Sequence, residues 1–110
     1  MLPFEIHDAA HPFNKCNDRR PWLVVDVREG GVFGCFPISG ECYSGSRFQL
    51  SCEHPDFATT GLNKTCYILD DRIYEIETGE FAKYRGRLAG DLRVSFLDYA
   101  GLDPSATDST

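Results

Sequence analysis

The stretch WLVVDVR-EGG-VFGCFPI, residues 22–38, decides the fold. Residues 22–28 form a continuous apolar run, β-branched at its centre, as expected of a strand buried on both faces rather than one. Glu29, Gly30 and Gly31 are a turn signal, and residues 32–38 read as the returning strand, so the segment predicts a β-hairpin. Pro37 lacks an N–H and cannot complete a ladder, which puts its end of the strand at an edge or a bulge.

Working outward, residues 3–8 are short and ambiguous, compatible with an edge strand. Residues 11–18 carry Pro12, Asn14 and Asn17 and read as a loop. Residues 39–45 form another loop. In residues 47–52, Phe48, Leu50 and Cys52 alternate with Gln49 and Ser51, the pattern of a half-buried strand. A long connection, residues 53–64, holds Pro55 and Gly61. Two more strands follow, residues 65–69 and 72–77, separated by Asp70-Asp71 and closed by Gly79. From residue 88 the period becomes helical. Leu88, Leu92, Phe96 and Tyr99 share one face up to residue 100, Gly90 weakens the first turn, and Gly101 and Pro104 end the helix. About five strands and a terminal helix predict a mainly β domain, a small half-open barrel packed under one helix. The polar ending DPSATDST, residues 103–110, is expected to be a disordered tail, leaving 1–102 as the single domain.

Composition agrees with this reading. A chain of 110 residues supports one modest core. Eight Phe, five Tyr and one Trp favour strands, where rings pack on a pleated surface. No run reaches the roughly 18 apolar residues that span a bilayer. The start, MLPFEIHDAA, has neither a basic nor an apolar leader region, so a cytoplasmic protein without membrane association is expected. Five cysteines without a CxxC pair read as reduced, buried thiols, and a zinc site drawing on them with His7, His11 or His54 is disfavoured for want of closely paired ligands. The net charge of −6 opposes generic binding to nucleic acid, so any such role must rest on a local basic site.

Three segments, taken in order, resemble the PemK/MazF family of toxin ribonucleases. Arg19-Arg20-Pro21-Trp22-Leu23-Val24-Val25 is similar to the family's loop-to-strand "RP-apolar-LVV" element. VFGCFPIS, residues 32–39, is similar to its next strand, and GLNKTCYILDDRIYEI, residues 61–76, to its "GL-x-K" and "Y-V-L-x-D" stretch. Gly86-Arg87-Leu88 and the helix to Gly101-Leu102 resemble the family's ending. The resemblance implies an SH3-like barrel with a C-terminal helix, usually a homodimer. It also implies an endoribonuclease that cuts single-stranded RNA with no metal or other cofactor, restrained by an antitoxin protein.

What the resemblance implies for residues follows position by position. Arg20, before Pro21, stands at the catalytic arginine, whose permanent, planar charge suits phosphate. Ser39 stands where the family often has a catalytic threonine and keeps its hydroxyl. Asp71 matches an aspartate that assists proton transfer or RNA contact in some members. Arg19, Lys64, Arg72, Tyr74 and His11 are candidate RNA contacts, Tyr74 replacing an arginine and able to stack on a base. Lys15 could add to the same positive groove. His54 is read as inert. Two alternatives stay open from sequence: a binding module on the same fold without catalysis, and an unrelated small barrel.

Overall fold

The computed structural model describes residues 3–10, 19–40, 48–70 and 73–101. The expected hairpin lies at the centre of the sheet, with β2 (Arg19–Val27) antiparallel to β3 (Val32–Ser39) from Trp22↔Pro37 to Val27↔Phe33. Its turn is tight because Gly30 and Gly31 take φ of +77° and +74°, left-handed values that cost glycine little.

Among the described residues seven strands form where the sequence shows about five, in the order β4-β5-β3-β2-β1-β7, with β6 also paired to β3. The ambiguous N-terminal segment is β1 (Glu5–Ala10), and it is an interior strand, not an edge. It pairs with β2 on one side and with β7 (Lys83–Arg87) on the other. β7 reads Lys-Tyr-Arg-Gly-Arg, and its one buried residue is Gly86, so no apolar alternation betrays it.

Two short strands share the outer flank of β3. β5 (Cys66–Ile68) pairs with Ile38 and Ser39, and β6 (Tyr74–Glu77) with residues 32–35. Between them the chain leaves the ladder opposite Pro37. The Pro37 carbonyl accepts from Leu69 N at 2.9 Å, so its missing N–H lies on that same side and no further pair can form. The strand pairing on that flank of β3 is thus divided at Pro37, with β6 before it and β5 after it. β4 (Phe48–Leu50) then pairs with β5.

The sheet is buried on both faces, as the run in residues 22–28 predicts. On one face Leu23, Phe36, Ile38, Leu50 and Ile68 pack against Leu88 and against Leu92, Phe96 and Leu97 of α1 (Gly90–Ala100). The Phe96 ring meets Phe4, Phe36 and Phe48 edge-on, at 6.5, 6.3 and 5.2 Å between centroids. On the other face Ala9, Trp22, Val24, Phe33, Cys35 and Ile76 form a second core. The helical spacing puts Tyr99 on the apolar face. The structure instead buries Leu97 and leaves Tyr99 43% exposed at the rim, tilted against Phe48. The buried stripe turns toward Leu97 because Phe96 is its centre.

Two close approaches lock the long connection onto β7. A Cβ on Gly61 would stand 2.0 Å from the Arg85 carbonyl oxygen, and one on Gly86 would stand 2.2 Å from that of Thr59. Only glycine lets these backbones meet. The same connection caps α1. Asp56 accepts from Asp91 N at 2.9 Å, where Ala89 at the cap position offers no side-chain acceptor. Among the described residues no helix is long and apolar enough to cross a membrane.

Candidate active site

Arg19 and Arg20 are neighbours in sequence, and the pleat sends them to opposite faces. Leu23, of Arg19's parity, lies in the core under α1, whereas Trp22 and Val24, of Arg20's parity, lie in the second core. Both arginines are exposed at the start of β2. Arg20 is held there by Pro21, whose ring fixes φ, and by Trp22, which is buried and donates its indole N–H to the Ala10 carbonyl at 3.2 Å.

Across from Arg20 on one side is Ala9 of β1. On the other side the β2–β3 pairing ends at Trp22↔Pro37, and Arg20 and Ser39 each lie two residues beyond it on their own strands, with the alternation of the Trp22 and Pro37 face. Alternation along the two strands gives the arginine and the hydroxyl that the sequence singles out the same face of the sheet. Ser39 is half-buried and pairs with Tyr67 of β5, which in turn pairs with Gln49 of β4.

Lys64 joins them from the connection before β5. A Cβ on Gly40 would sit 2.9 Å from Lys64 Nζ, so the ammonium lies over the residue after Ser39. Ion pairs among the described residues join His7 to Glu5, Arg28 to Asp26 and Glu75, His54 to Asp56, and Arg85 to Asp8. None takes Arg20 or Lys64. A guanidinium, an ammonium and a hydroxyl are the groups that hold a phosphate and donate to its non-bridging oxygens.

Tyr74 lies on the same face and meets Trp22 edge-on at 5.4 Å between centroids, half-buried against the second core. Arg19 belongs to the opposite face and is not brought to Arg20. His11, Asp71 and Arg72, with Lys15, lie outside the described residues. His54 accepts from Asp56 N at 3.0 Å and faces the helix cap, on a different part of the molecule.

Among the described residues no group of three His, Cys, Asp or Glu side chains could hold a metal ion. Cys35 and Cys66 are free and buried, as the composition suggests, but Cys52 is exposed. Its strand ends at Leu50, so the predicted inward alternation does not reach it. Burial pushes the Cys35 thiol up to about 12, with Arg28 opposing weakly, so it stays protonated and unreactive. The sequence reading passed over Tyr67 and Gln49. Alternation with Cys66 and Ile68, both core residues, turns Tyr67 away from the core, and the β3–β5 pairing puts it on the face of Ser39.

No protein-family model matches this chain, and no curated protein matches it by sequence. Solved structures do. An endoribonuclease in complex with its cognate antitoxin from mycobacterial species is similar at 14% identity and a TM-score of 0.59, over 94% of this chain and 95% of that one. An endoribonuclease from mycobacterial species gives 15% identity and a TM-score of 0.60, over 93% and 92% of the two chains. The Mycobacterium tuberculosis toxin MazF-mt6 gives 20% and 0.59, over 90% and 98%. The shared feature is the fold, a MazF-like curled half-barrel with a C-terminal helix.

Proposed function

We propose that this chain is an endoribonuclease acting on single-stranded RNA, the toxin of a toxin–antitoxin pair. The observation that carries the reading is Arg20 and Ser39 on one face of the sheet, with the Lys64 ammonium against Gly40, the residue after Ser39, and no carboxylate paired to either cation among the described residues. The likeness of fold to mycobacterial endoribonucleases, one of them solved with its cognate antitoxin, supports it.

The chemistry such a site suits is in-line transesterification without a metal in the step. The ribose 2′-oxygen bonds to the adjacent phosphorus and the P–O5′ bond breaks. The products are a 2′,3′-cyclic phosphate and a 5′-hydroxyl. Charge accumulates on the non-bridging oxygens as phosphorus becomes five-coordinate. Arg20 binds two of these oxygens through parallel N–H donors, Lys64 adds a point charge, and Ser39 donates from its hydroxyl. The proton leaving the 2′-hydroxyl goes to a side-chain base and another is delivered to the 5′-oxygen. Asp71 and His11 are the groups we assign to these transfers. Arg72 and Tyr74 complete the contacts with RNA on either side of the cut.

With a net charge of −6, RNA is confined to this local cationic strip, and its binding falls steeply with salt. The partner that restrains the toxin is a protein antitoxin, and the working form is a homodimer. The test is incubation of the purified chain with single-stranded RNA in EDTA beside Arg20→Ala. Cleavage to cyclic-phosphate ends that disappears in the variant supports the proposal. RNA bound but left intact by the wild type would instead make the chain a binding module on this fold.

A further inference from the structure

From the row Ser39–Tyr67–Gln49, on the face that also carries Arg20, we infer that β5 and β4 supply the base-reading half of the site: Tyr67 as a stacking platform and Gln49 as the reader of a base edge. The inference rests on the RNA reading above and specifies where a nucleobase sits. Ser39 pairs with Tyr67 and Tyr67 with Gln49, so three consecutive strands present these side chains on one face, the face that alternation also gives Arg20. Neighbouring strands are about 4.8 Å apart. A phosphate held by Arg20, Ser39 and Lys64 therefore leaves its attached base one to two strand spacings away, above Tyr67.

Chemistry and burial fit these roles. Tyr67 is half-buried, so its ring is anchored while one side stays accessible, and flanking Cys66 and Ile68 are sealed in the opposite core. An anchored aromatic ring stacks on any base, because every base has a π face. Gln49 is exposed on the short strand β4, between half-buried Phe48 and buried Leu50. Its amide carries a donor and an acceptor on one rigid group, which matches the edge of an unpaired base. Ring and amide together give both base affinity and base choice, which Arg20 and Lys64, as phosphate ligands, do not supply.

The probe is a set of 2′-O-methyl RNA heptamers, which lack the attacking hydroxyl and stay intact, differing in the base at each position or carrying an abasic sugar there. Affinities are read by fluorescence anisotropy for the wild type, Tyr67→Leu, Tyr67→Trp, Gln49→Ala and Arg20→Ala. Tyr67→Leu is expected to weaken base-bearing oligomers by roughly 5- to 150-fold at one position and leave the abasic one unchanged there. Tyr67→Trp retains affinity, and Gln49→Ala flattens the preference among the four bases. Arg20→Ala weakens every oligomer, abasic ones included. Should Arg20→Ala weaken binding while Tyr67→Leu and Gln49→Ala leave affinity and base preference unchanged, this inference is overturned and the RNA reading survives. Absence of RNA binding by the wild type overturns both. Should Tyr67→Leu not fold, as a thermal melt would reveal, exposed Gln49→Ala decides alone: unchanged base preference overturns the inference.

Discussion

Strand β1 separates two basic regions that are handled in opposite ways. On β7, Lys83, Arg85 and Arg87 are three of the chain's eleven cations. Across from them β1 carries acids: Glu5 faces Arg87, Asp8 faces Lys83, and Arg85 Nε reaches the buried Asp8 carboxylate at 2.9 Å. On β2 the corresponding partner is an alanine, since Ala9 faces Arg20. The same strand pairs one cation of β7, Arg85, with a carboxylate, sets acids opposite Lys83 and Arg87, and sets an alanine opposite Arg20. A basic residue in this acidic chain is thus structural or available according to its cross-strand partner, which a count of charges does not reveal.

The comparison can be broken most directly by exchanging the effects of the two regions. Arg20→Ala is expected to cut the rate of RNA cleavage by about 1,000-fold, the scale for losing a transition-state donor, while Arg87→Ala changes it less than about threefold. Equal losses in a single-turnover assay would erase the distinction. Next in size, Gly86→Ala forces a methyl onto the Thr59 carbonyl oxygen and should lower stability by about 3 kcal/mol, read from the denaturant midpoint. Arg85→Ala strands Asp8 and should cost about 2 kcal/mol, a figure kept low because Arg85 is 31% exposed, with catalysis per folded molecule retained.

A pH series separates surface charge from ionisation in the core. The Cys35 thiol holds its proton in the folded state up to about 12, whereas the unfolded thiol releases it near 9. Its contribution is whole below pH 9, and between these values the unfolded state binds fewer protons, so stability falls by about 1.4 kcal/mol per pH unit. Cys35→Ala should remove that component of the alkaline slope in urea titrations at pH 8 to 10.5. The smallest effect sharpens the comparison within β2 itself. Arg19→Ala, on the far face, is expected to reduce cleavage less than threefold, an effect about the size of surface screening that vanishes as salt rises.

Much of the fold was legible because it follows from local patterns. The unbroken run in residues 22–28 announces a strand with a core on either side, and Leu23 and Trp22 occupy those two cores. Gly30 and Gly31 mark the turn, and the four-residue spacing of Leu88, Leu92 and Phe96 marks the helix. β7 was not legible, since a strand whose buried member is glycine has no hydrophobic period. Nor was the central place of β1, which depends on β7 arriving from the other end of the chain. Of the candidate site, Arg20, Ser39 and Lys64 were visible through motif resemblance. Tyr67 and Gln49 became visible only once strand register was known.

By itself the sequence determined the alternation, the turns and the presence of an arginine before Pro21 and a serine after Pro37-Ile38, because these are properties of neighbouring residues. Which of two adjacent arginines shares a face with that serine, and which cations meet carboxylates, was decided by the tertiary structure. Pairing between strands distant in sequence fixes the register, and a shift of one residue would send every side chain to the other face.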